Sequence, residues 1–143
     1  MTIDMCEPDE GWMSGLSAEG REKADTVAWQ KSRHDLAGLV SAWVASARRI
    51  ATGGDGKDYY DDYHVYVSWR ESINEVIAAL SAADASIVLR AVEPADTQFK
   101  NYTFDDGGQA MSRKHKVRTE CWYWRRVPMR GPIARSLGID ETR

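Results

Sequence analysis

Trp29, Leu36, Leu39, Val40, Trp43, Val44, Ala47 and Ile50 fall on one face of a 3.6-residue helix. No other feature restricts the fold as much, because an apolar stripe of this length must be covered by further packed elements. Ser17 offers an N-cap ahead of it, and Glu19 and Glu22 put negative charge where the helix dipole favours it. The spacing predicts a first helix over 18–51, with a break near Asp25. TGGDGKD at 52–58 ends it with two glycines, after which Asp58 or Asp61 is placed to cap a second helix. So short a connection makes the second helix an antiparallel neighbour.

Tyr59, Tyr63, Tyr66, Ile73, Val76, Ile77 and Leu80 keep helical spacing, whereas Tyr63, Val65, Val67 and Trp69 alternate as in a strand. Length and the continuation through NEVIAAL favour helix. Asp84 reads as the cap of a third segment with Ile87, Val88, Ala91 and Val92 inward. Pro94 should interrupt its hydrogen-bond ladder, so that PADTQFKNY restarts as a separate or kinked helix with Phe99 and Tyr102 packing back. After Phe104, DDGG is a stop. WYWRRVP reads as a short strand or an extended stretch ending at Pro128, and IARSL as a last short helix after Pro132, closed by Gly138. The expected class is mainly all-α: a small bundle of three to four helices with a basic aromatic C-terminal tail able to add a short strand. Residues 1–16, aperiodic and acidic around Trp12, read as a flexible arm, and 17–143 as one helical domain that includes the basic segment 105–143.

Composition narrows the function classes. With 143 residues, folding should bury roughly two-thirds of the surface of the extended chain, enough for a true core. Charge interrupts every apolar stretch before the roughly 20 residues that a membrane span needs. The start, MTIDMCEPDEGW, is acidic where a signal peptide is basic. A cytoplasmic protein with no membrane association is expected, with Cys6 and Cys121 as free thiols. Thirteen Arg against six Lys, with abundant Ala, suggest a high-GC bacterium or one of its mobile elements.

Candidate chemistry is sparse. Gly56 and Lys57 imitate the end of a phosphate-binding loop, but Ala51 and Asp58 occupy two of its required positions and a helix precedes it, so a helix terminator is the better reading. IARSLGID has the cadence of the first half of a helix-turn-helix, yet only four residues follow Ile139, and a recognition helix needs about two more turns. Asp61 and His64 stand at i and i+3, a spacing at which carboxylate and imidazole can share a metal or a proton, with Glu71 on the same segment and His34, Asp105 and His115 elsewhere. The pattern lacks a third ligand at a telling spacing, so no metal or other cofactor is expected, and an enzyme around Asp61, His64 and Glu71 is the weakest reading. Tyr59, Tyr60, Tyr63 and Tyr66 share one helix face and read as core with hydroxyls at the rim.

The most informative stretch is RKHKVRTECWYWRR at 113–126. Between Arg113 and Arg135 there are eight cations and one acid, Glu120, against an acidic first thirty residues. Three accounts compete for Arg113, Lys114, Lys116, Arg118, Trp122, Tyr123, Trp124, Arg125 and Arg126. In the first, the rings complete the core and the cations are solvated. In the second, the segment is a protein-binding surface, since Trp, Tyr and Arg dominate interface hot spots and an acidic partner would be steered in. In the third, the rings stack on bases while the cations neutralise phosphates. A non-enzymatic protein-interaction module, accessory or inhibitor-like, is the expected function, with a small nucleic-acid-binding protein as the alternative.

Overall fold

The computed structural model describes residues 10–54 and 58–141. It is mainly α-helical, as the periodicity requires. After a 3-10 helix at Glu10–Gly15 come α1 (Ala18–Ser32), α2 (Leu36–Ala51), α3 (Tyr60–Ala79) and α4 (Ala82–Asn101). The short elements follow: β1 (Thr103–Asp105), α5 (Gln109–Ser112), a 3-10 helix at Trp122–Arg125, β2 (Arg126–Pro128) and α6 (Pro132–Ser136). The chain divides into two compact units, one of residues 1–45 and 69–95, the other of residues 46–68 and 96–143.

In the first unit the buried apolar side chains are Met13, Ala24, Ala28, Leu36, Leu39, Val40, Trp43, Ile73, Val76, Val88, Val92 and Ala95. Met13 belongs to the segment read as an arm. The break in the long first helix falls at Arg33, not near Asp25. Arg33 adopts the left-handed conformation (φ 62°), and its N–H bonds the Trp29 carbonyl to close α1. The next helix is then capped twice: Asp35 accepts from the Gly38 N–H at 2.8 Å, and Asp25, well inside α1, accepts from the Leu36 N–H at 3.0 Å. Asp25 therefore secures the junction instead of forming it.

Ser17 caps α1 as expected, its hydroxyl accepting from the Gly20 N–H at 2.9 Å. The cap of α4 is Ser81, whose hydroxyl accepts from the Asp84 N–H at 3.3 Å. Asp84 is left to bind the other helix start: it accepts from the Ser17 N–H at 3.0 Å and the Ser17 hydroxyl at 2.7 Å. These hydrogen bonds, the backbone one foremost, hold its carboxyl below the usual carboxylate range. Gly20 lies so close to this carboxylate that any Cβ there would collide with Asp84 Oδ2. Pro94 does not end α4, which runs on to Asn101.

The second unit buries Ala47, Ile50, Tyr63, Val67, Phe99, Ala110, Met111, Tyr123, Trp124, Val127, Ile133, Ala134 and Leu137. Gly53 and Gly54, both at positive φ, end α2, and the Gly54 N–H returns to the Arg49 carbonyl at 2.8 Å. Gly56 and Lys57 of the phosphate-loop comparison lie outside the described residues. Neither Asp58 nor Asp61 caps α3. Asp58, buried, accepts from Arg49 through Nε at 2.8 Å and Nη2 at 3.1 Å, while Asp62 reaches back to the Tyr59 N–H at 3.0 Å. β1 and β2 form an antiparallel pair in which Phe104 faces Val127. Tyr102, expected to pack back with Phe99, is exposed, because the chain has already turned into β1.

Candidate functional site

The sequence-predicted surface lies in the second unit, and the structure separates its charges from its rings. Asp106 starts the arrangement: its carboxylate accepts from the Gly108 N–H at 2.8 Å and the Ala110 N–H at 2.9 Å, fixing the turn into α5. Gly108 is required there, with φ 84° and a would-be Cβ only 2.6 Å from Thr119 Cγ2. After α5 the chain runs as an irregular loop over 113–121. The Lys114 and His115 N–H groups both bond the Met111 carbonyl, and Cys121 N–H bonds the Arg118 carbonyl. On this loop Arg113, Lys114, Lys116 and Arg118 are all exposed, Arg118 alongside Glu120 at 3.1 Å.

The rings that follow turn inward. WYWR is a 3-10 helix, not a strand, and Tyr123 and Trp124 are each only 2% exposed. Trp122 is half-buried, edge-on to Phe99 at 6.0 Å and to Tyr123 at 5.5 Å, with Lys100 Nζ 4.4 Å above its ring. Tyr63 stacks on Phe99 at 6.3 Å, and its hydroxyl donates to the Arg126 carbonyl at 2.6 Å; burial drives its phenol far above the ordinary range. Arg125 sits 3.8 Å from Asp105. Arg126 is a structural cation: it donates to the Thr103 hydroxyl and carbonyl at 2.9 Å each and to the Lys100 carbonyl at 3.1 Å, closing the C-terminus of α4. Nothing in the sequence separated Arg126 from its exposed neighbours, since the partner carbonyls lie more than twenty residues away.

His115 is brought to Asp61 and His64. His115 Nε2 lies 2.8 Å from Asp61 Oδ1, and its ring stacks on His64 with centroids 4.1 Å apart and planes 28° apart. His64 in turn lies 5.1 Å from the buried Trp124 ring. Lys114 sits over the Tyr60 ring at 4.9 Å, and Asp61 also raises the Tyr59 phenol by hydrogen bonding. Among the described residues no three His, Cys, Asp or Glu are placed to hold a metal. The imidazole that sequence reasoning underweighted, His115, had no local signal: its partners lie 51 and 54 residues earlier on α3.

Of the four tyrosines, Tyr63 is core, Tyr60 and Tyr66 are half-buried and Tyr59 is exposed. Cys121 is a half-buried free thiol, and Cys6 lies outside the described residues. A cleft of about 230 Å³ beside α5, bordered by Phe104, Asp106, Arg113 and Ile139, is smaller than the roughly 300–1,000 Å³ of most small-molecule sites. Among the described residues no helix is long and apolar enough to cross a membrane. No protein family matches this chain, and comparisons with curated proteins and with solved structures find no significant match.

Proposed function

We propose that this chain is a non-enzymatic interaction module, accessory or inhibitor-like, that recognises an acidic surface on a protein partner through Arg113, Lys114, Lys116 and Arg118. The observation that carries this reading is the division of labour within 113–126: the loop cations Arg113, Lys114, Lys116 and Arg118 stand outside while Tyr123 and Trp124 are buried. A groove for single-stranded nucleic acid needs ring faces open to the bases, and of Trp122, Tyr123 and Trp124 only Trp122 retains partial exposure, beneath Lys100. Clustered exposed cations instead steer an acidic partner and set orientation. The formal net charge of −3 acts in the same sense, since the remaining surface repels a long polyanion. The excess of Arg over Lys and the abundance of Ala support an origin in a high-GC bacterium or one of its mobile elements, and a cytoplasmic location is part of the same proposal.

The test is affinity purification from the native host of the wild-type chain and of a variant combining Arg113→Glu, Lys116→Glu and Arg118→Glu. These three side chains are exposed, so the thermal stability of the variant should be unchanged within about 0.5 kcal/mol per site. The wild type is expected to retain a stoichiometric acidic protein whose affinity the variant weakens by about a hundredfold. Enrichment of nucleic acid, or equal capture of the protein by both chains, would refute the reading.

A further inference from the structure

The buried side of α1 is a line of small residues, Gly20, Ala24 and Ala28, spaced by four. With about 100° between successive residues, Glu22, Thr26 and Trp29 fall on the opposite side, and Arg33 continues their line at the end of the helix. All four are exposed, Trp29 by 53%, although it is the one large ring on a helix whose outer residues are otherwise charged, polar or small. Among the described residues, the Trp29 ring, the Glu22 carboxylate and the Arg33 guanidinium have no ionic, aromatic or hydrogen-bonding partner. Arg33 also holds a left-handed backbone (φ 62°), where glycine is the usual residue, so its cation is kept at a conformational cost.

We propose that two copies of the chain associate through this face, their α1 helices antiparallel about a twofold axis beside Val27 and Ala28. Glu22, Thr26, Trp29 and Arg33 are spaced by four, three and four, the seam of a heptad, along which paired helices stay in contact. Antiparallel pairing about that axis sets Glu22 against Arg33 of the second copy and Thr26 against Trp29 of the second copy, and the symmetry repeats each contact in reverse. Parallel pairing would set Glu22 against Glu22 and Arg33 against Arg33, with like charges at both ends. A partner of one charge sign meets one end of the stripe favourably and the other unfavourably, whereas a second copy matches both. The indoles are the anchors, and the charge pairs at the rim set direction and register. One helix face buries less than the roughly 1,200 Å² of a standard interface, so the association is weak, with a dissociation constant on the order of 100 µM.

Sedimentation equilibrium of the full chain at low ionic strength, where charge pairs are little screened, is run from about 10 µM to about 1 mM. The average mass of the wild type should rise from that of one chain toward that of two. Glu22→Arg and Arg33→Glu each leave like charges at both ends of the pair and should weaken it by at least about tenfold, as should Trp29→Ala, which removes the anchor. Combining Glu22→Arg with Arg33→Glu restores opposite charges and should bring the dissociation constant back to within about threefold of the wild type. These positions are exposed, so each variant should unfold at the wild-type temperature in dilute solution, which separates loss of association from loss of fold. A wild type that stays a single chain at about 1 mM would overturn the pairing, as would a dimer indifferent to Trp29→Ala or a charge-swapped variant no better than the single reversals. None of these outcomes bears on the binding role of 113–118, because no other protein enters the measurement.

Discussion

Trp43→Ala should destabilise the chain by about 3–5 kcal/mol, the usual cost of truncating a fully buried tryptophan. Trp43 is 0% exposed and lies on the α2 stripe with Leu36, Leu39 and Val40, each also 0% exposed. Removing the indole leaves a cavity that close-packed neighbours fill only in part, so the lost transfer energy and the cavity cost add. Urea unfolding followed by far-ultraviolet circular dichroism reads the change as a lower midpoint at unchanged slope. A loss under about 1 kcal/mol would put the ring at the surface and undermine the assignment of the α2 stripe to a core.

Trp124→Ala should cost a similar amount, about 3–5 kcal/mol, and this is what separates a core ring from a binding ring. Trp124 is 2% exposed, with Tyr123 6.2 Å away on one side and His64 5.1 Å away on another. Its removal takes support from beneath the His64–His115 stack. Trp122→Ala, at a half-buried position, should cost about half as much, because the area returned to water is smaller. The same denaturant titration measures both. Equal, small losses for the two variants would return both rings to the list of candidate contact residues.

The helical class was legible because α2, α3 and α4 each carry a periodic stripe, and the buried set Leu36, Leu39, Val40, Trp43, Ala47 and Ile50 coincides with the first of these. The joints were less legible. Periodicity continues across 32–36, so nothing in it marks the left-handed turn at Arg33, which depends on Asp25 and Asp35 capping the restart. After Pro94 a separate or kinked helix was expected, and the structure rules out the separate one, since α4 continues through the proline. Asp84 carries the composition of an N-cap and serves instead as the acceptor that binds Ser17, a contact 67 residues apart. The basic aromatic segment was located by composition alone. Its inner geometry, with Tyr123 and Trp124 buried and the cations of 113–118 outside, involves Tyr63, His64 and Phe99 of α3 and α4, and no local pattern reports that. Arg126 and His115 show the same limit, since each is identified by partners distant in sequence.

The central claim is that 113–126 presents charge without base-stacking rings, and titration of a labelled single-stranded oligonucleotide near physiological salt tests it most directly. The account predicts binding weaker than about 10 µM, falling with salt in the manner of scattered phosphate contacts, and little altered by Trp122→Ala. Binding at or below about 1 µM that weakens by roughly 1–3 kcal/mol in Trp122→Ala, at unchanged fold, would contradict it and make the segment a nucleic-acid site.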